Sequence, residues 1–86
     1  MPRRDWIDVR LDSGSRRGAA DALNAYAAKS GEGDAEPLRH LRRMLGSSRN
    51  ELLLDADQAK TLLAALEIDG RMSALRARLQ AFLEFG

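Results

Sequence analysis

The chain has 86 residues, 44 % of them hydrophobic and 31 % charged, with 14 Lys/Arg against 13 Asp/Glu for a net charge of +1. This balance excludes a charge-rich disordered chain and any general electrostatic pull toward nucleic acid or a membrane surface. The absence of cysteine excludes disulfides, thiol nucleophiles and zinc sites that need a thiolate.

The expected organisation is one domain over residues 1–86, because a chain this short buries only about 60 to 65 % of the surface it exposes when unfolded. A partner or second subunit would then add usefully to a small core. No stretch reaches the roughly eighteen apolar residues of a membrane span. Met1-Pro2-Arg3-Arg4-Asp5 leads into alternating polar residues where a signal peptide would place an apolar run. The expected location is therefore cytoplasmic, with no membrane association.

From Asp5 to Asp12 the sequence alternates, with Ile7, Val9 and Leu11 on one face and Trp6, Asp8 and Arg10 on the other. Period two with β-branched residues predicts a half-buried strand. Asp12, Ser13 or Ser15 then supplies an acceptor for the unpaired amides of a helix start. That helix runs to about Lys29, with Ala19, Ala20, Leu23, Tyr26 and Ala27 on one stripe. Gly14 and Gly18 weaken its first turns, and its alanine face predicts close helix packing.

Ser30-Gly31-Glu32-Gly33-Asp34 reads as a loop, with Gly31 ending the first helix and Asp34 capping the next. Pro37 falls in the first turn of the second helix, where its missing N–H costs little. Leu38, Leu41, Met44 and Leu45 form the apolar side of that helix, and Arg39, His40, Arg42 and Arg43 form the other. Gly46-Ser47-Ser48-Arg49-Asn50 breaks it. Glu51 to Leu54 reads as a short strand, open to burial on both sides because three leucines follow one another. Asp55 and Gln58 have capping-box spacing, and Ala59, Leu62, Leu63 and Leu66 recur at helical spacing as far as Ile68. Asp69-Gly70 turns the chain into a last helix striped by Met72, Leu75, Leu79, Phe82 and Leu83.

The same order, strand, capping aspartate, helix, turn and helix, thus occurs twice, in halves of about 5–46 and 50–86. Leu11/Leu54, Asp12/Asp55, Ala22/Ala65 and Leu23/Leu66 are identical at a spacing of 43, a pattern that duplication and convergence both explain. The predicted fold class is α+β, mostly α, with two strand-helix-helix copies forming a four-helix layer on a short two-stranded antiparallel ribbon. A ribbon alone is marginally stable and needs that cover. Ile7, Val9, Leu11, Leu23, Leu41, Leu62, Leu66, Leu75, Leu79 and either Leu52 or Leu53 are the expected core.

Nothing in the residues announces catalysis. His40 is the only histidine, and its neighbours Arg39, Arg42 and Arg43 supply no carboxylate to orient the ring. Glu32, Asp34 and Glu36 lack the longer ligand series and closing glutamate of a calcium loop. No phosphate-binding loop, His-Glu-x-x-His or Gly-x-Ser-x-Gly occurs. The expectation is a non-enzyme with no catalytic residue, cofactor or metal.

Two features point to binding instead. Trp6 lies on the strand face opposite Ile7, Val9 and Leu11, and Phe85 falls outside the last helix's apolar stripe; large apolar residues off the core face are candidate interface anchors. Arg39, Arg42 and Arg43 form a basic helix face, and Arg3, Arg4, Arg16 and Arg17 add two further pairs. The expected function is a small protein-interaction module, an adaptor, inhibitor or homodimeric regulator, that contacts a protein partner or itself through Trp6, Phe85, Arg39, Arg42 and Arg43. The alternative is a regulator that binds nucleic acid through the second helix's basic face.

Overall fold

A computed structural model describes residues 6–31, 36–46, 51–70 and 72–85, the side chains of Asp69 and Phe85 excepted. The elements run β1 (Trp6–Arg10), α1 (Ser13–Ser30), α2 (Leu38–Gly46), β2 (Glu51–Asp55), α3 (Ala56–Asp69) and α4 (Ser73–Phe85). The fold is a small α+β arrangement of these helices with a two-stranded antiparallel sheet.

Alternation in β1 sends Ile7 and Val9 inward and Trp6, Asp8 and Arg10 outward. Pairing with β2 places Trp6 opposite Asp55, Asp8 opposite Leu53, Val9 opposite Leu52 and Arg10 opposite Glu51. In β2, Leu52 and Leu54 therefore point inward and Leu53 outward. The strand is not two-sided, and of the two alternatives Leu52 is the core residue. Leu54 is also fully buried.

Each strand feeds a helix through an aspartate. Asp12 is extended at φ −73°, ψ 176°, and its carboxylate accepts the Ser15 main-chain N–H at 2.6 Å. Asp55 is extended at φ −84°, ψ −179°, and accepts the Gln58 N–H at 2.8 Å while the Gln58 side chain accepts the Asp55 N–H at 3.0 Å. The second start is thus a full capping box, with Gln58 buried. Of the three candidate caps at the first start, Asp12 is the one used.

Both first helices end alike. Gly31 (φ 73°, ψ 10°) and Gly70 (φ 71°, ψ 15°) take the left-handed conformation, and their N–H groups donate to Ala27 and Leu66 four residues back. A side chain there would be strained, so glycine stops the helix. α1 has 18 residues and α3 has 14. The difference of four is about one turn, so the helix exits keep nearly the same rotational phase. Pro37 lies just ahead of α2 rather than within it, and its carbonyl accepts the Leu41 N–H at 3.0 Å. Asp34 and the break after Gly46 lie outside the described residues.

α1 packs along α3, α2 against α1 and α3, and α4 against α3, while α3 also meets both strands. α3 is therefore the centre of the molecule. Alanines at Ala19, Ala22, Ala59 and Ala65 are buried and keep backbones close, while Leu23, Leu41, Leu62, Leu66 and Leu79 fill the space between helices. All the other core residues expected from the sequence are buried, and Leu38 and Leu45 of α2 join them. Met72, the residue before α4, has φ 58°, a conformation costing a non-glycine residue roughly 1 to 2 kcal/mol. Its carbonyl accepts the Arg76 N–H, and its Sδ lies over Gly18 of α1.

Candidate interaction surface

The ribbon's outward face follows from the pleat. With Ile7, Val9, Leu52 and Leu54 committed to the core, Trp6, Asp8, Arg10, Glu51, Leu53 and Asp55 stand on the opposite side. Trp6 is 51 % exposed and Leu53 57 %. Because Trp6 pairs with Asp55, Leu53 is its diagonal neighbour, a spacing of about 7 to 8 Å that an indole spans. Two large apolar groups thus share one small face. A surface of this kind marks an interaction site more often than a solitary exposed leucine does.

The polar groups around them are mostly acidic. Arg10 and Glu51 form a cross-strand ion pair at 2.9 Å, both side chains well exposed. Such a pair adds little stability, on the order of 0 to 1 kcal/mol, and its charges cancel locally. Asp8 and Asp55 flank Trp6 and Leu53. Arg78 of α4 donates to the Asp8 main-chain carbonyl at 2.9 Å, tying α4 to β1.

The basic cluster occupies a different element. Leu38, Leu41 and Leu45 anchor α2, which leaves Arg39, His40, Arg42 and Arg43 exposed. The Arg42 Nε donates to the Asn24 side-chain oxygen of α1 at 3.1 Å, fixing one guanidinium relative to the helix it packs on. No acidic residue lies between Leu38 and Gly46. Trp6 and the arginines therefore belong to separate surfaces, one on the ribbon and one on α2. Phe85 is the last residue of α4; its side chain lies outside the described residues, as do Arg3 and Arg4.

A shallow groove of about 270 Å³ opens where β1 and α1 meet the start of α4, lined by Arg10, Leu11, Ser15, Met72 and Arg78 among others. Among the described residues that line it there is neither a carboxylate nor a histidine. Among the described residues no three His, Asp or Glu side chains are grouped as metal ligands, and no helix is long and apolar enough to cross a membrane. Among the described residues, the Asp12 carboxyl has a displaced pKa. The main-chain N–H of Ser15, first, and its hydroxyl hold the Asp12 carboxyl below its ordinary value, a consequence of capping.

Sequence reasoning placed Trp6 on the outward face and the α2 arginines in solvent. It missed Leu53, whose neighbours Leu52 and Leu54 are chemically identical to it; only the register against β1 distinguishes the three. No protein-family model, curated protein or solved structure matches this chain.

Proposed function

We propose that this chain is a non-enzymatic protein-interaction module that works through the outward face of the β1–β2 ribbon. The observation that carries this reading is the joint exposure of Trp6 and Leu53 as diagonal neighbours. Aromatic anchors flanked by polar groups have the composition of the centre of a protein interface. Asp8 and Asp55 give the face its charge preference, so the partner surface that fits it is basic with an apolar element. Such a module acts as an adaptor, an inhibitor or a self-associating regulator. The absence of a membrane-spanning helix among the described residues agrees with a partner met in water, and a cytoplasmic setting belongs to this reading.

The test uses the immobilised full chain as bait in a lysate of its source, beside Trp6→Ala and Leu53→Ser. The expected result is a saturable partner retained by the parent and lost by both variants, with circular dichroism and the thermal midpoint unchanged. Unchanged capture by the variants, or their unfolding, overturns the assignment of the face.

The arginines of α2 support a second reading, nucleic-acid binding, because all three are exposed on a helix face without acidic residues. Phosphate contacts release counterions, so such binding falls steeply between about 50 and 200 mM salt. Failure to shift any DNA or RNA at low salt ends this alternative.

We also read the two halves as a duplicated strand-helix-helix unit with its helices layered on one side of the ribbon. Residues 43 apart, Val9 and Leu52, are direct cross-strand partners, and the two-fold of this reading would run between them, one residue from the ribbon's central pair. The matched aspartate caps and left-handed glycines favour the same reading. Expressing residues 1–46 and 47–86 separately and mixing them tests it: a 1:1 complex with the parent's spectrum supports two complementary units. Failure of the halves to associate counts against it.

A further inference from the structure

Resting on the reading of the ribbon face as a contact surface, we propose that its occupant is a second copy of this chain, seated head to tail through the basic face of α2. Charge is the first ground. The outward ribbon face carries three carboxylates, Asp8, Glu51 and Asp55, against the guanidinium of Arg10, with that of Arg78 at its edge on the Asp8 main-chain carbonyl. On α2 every ionisable side chain is basic. The face at one end of the association is thus the electrostatic complement of the face at the other.

Dimensions are the second ground. Two five-residue strands make a patch roughly 17 Å long and 10 Å wide. A nine-residue helix is roughly 14 Å long and 10 Å across. The helix covers the ribbon face without overhanging far onto flanking elements.

Chemistry is the third. A guanidinium laid over an exposed indole gains a cation–π contact, and Arg is the residue that stacks best there while pairing with a carboxylate. Trp6 is directly opposite Asp55 in the ribbon, so an Arg39 or Arg43 stacked on the ring lies beside the carboxylate that caps α3. Ribbon against ribbon has no such match, since it sets like charges face to face.

The contact is heterologous: the surface used on one copy differs from the surface used on the next, and every copy keeps one unused half. Both patches are small and fall in the class of weak, transient interfaces below about 1,200 Å². Association is therefore concentration-dependent and salt-sensitive, and it extends beyond the dimer unless the rotation closes a ring.

Sedimentation velocity of the full chain from about 10 μM to 1 mM at low salt reads this directly. The expected result is a rising weight-average mass, reversed by about 0.5 M salt, with the emission of Trp6, the sole tryptophan, shifting to the blue as mass rises. A ribbon variant, Trp6→Ala with Leu53→Ser, and a helix variant, Arg39→Gln with Arg43→Gln, each weaken association about tenfold or more. Mixed together, they form a 1:1 dimer that grows no further, because one supplies only a ribbon and the other only a helix. A monomer throughout the range overturns the proposal while leaving a heterologous protein partner for Trp6 intact. Loss of association in the ribbon variant alone identifies ribbon-to-ribbon pairing and overturns the α2 seat. An isolated effect of the helix variant overturns the ribbon seat.

Discussion

Leu53 and Leu54 are adjacent and chemically identical, yet Leu53 is 57 % exposed and Leu54 is wholly buried. The difference comes from the pleat: side chains alternate along a strand, and the pairing of Ile7 with Leu54 and Asp8 with Leu53 settles which alternate faces the helices. One of these leucines holds the molecule together and the other is available to hold something else. A shift of one residue in register would exchange their roles and expose both Leu52 and Leu54.

The strongest way to break the contrast is to truncate its buried member. Leu54→Ala should cost about 2 to 5 kcal/mol, as should Leu66→Ala or Leu79→Ala in the core beneath it, measured as loss of unfolding free energy in urea. A loss below about 1 kcal/mol would mean that the site collapses without a cavity or is not core. Next in size is the junction where the ribbon becomes α3. Asp55→Ala should cost about 1 kcal/mol by opening the capping box, and its carboxylate stands opposite Trp6, so it should also weaken any complex made there.

Smaller still is the response of stability to Leu53→Ser, expected within about 0.5 kcal/mol of the parent because the side chain is already in water. That null on stability paired with lost association would sharpen the contrast. A large destabilisation would instead show Leu53 shielding the ribbon. Last comes the pH response of Asp12. Its folded pKa is lowered by the Ser15 N–H, so the stabilisation it provides is fully present above its unfolded pKa of about 3.9 and is lost as pH falls through the folded value. Urea titrations of Asp12→Asn should show a shallower loss of stability between pH 5 and about pH 2 than the parent. An identical profile would remove Asp12 from the acid response.

Much of this architecture can be read in the residues, because local physics and tertiary packing agree over most of the chain. Strict alternation from Trp6 to Leu11 has only one strand face that buries its β-branched residues. Asp12, Asp55, Gly31 and Gly70 each mark a helix end by a mechanism that needs no tertiary partner. Leu52-Leu53-Leu54 is the opposite case, since a uniform apolar run has no phase of its own and takes it from β1. The candidate surface inherits that difference: Trp6 is legible from the alternation of its own strand, whereas Leu53 becomes a surface residue only through pairing. The separation of the arginines from Trp6 was likewise invisible, because it depends on α2 docking against α1 and α3.

Sequence separation also sets the ribbon apart from the helix pairs. α3 and α4 are linked through Gly70–Met72 and pack against each other, contacts that a chain reaches quickly. β1 and β2, by contrast, join Trp6 to Asp55 across 49 positions. Closing so long a loop is entropically costlier and yields its return only after the helices supply a surface to close upon. Substitutions on the ribbon should therefore speed unfolding far more than they slow folding. The diagonal of Trp6 and Leu53 exists only where β1 and β2 are paired, so the surface depends on the closure of the ribbon.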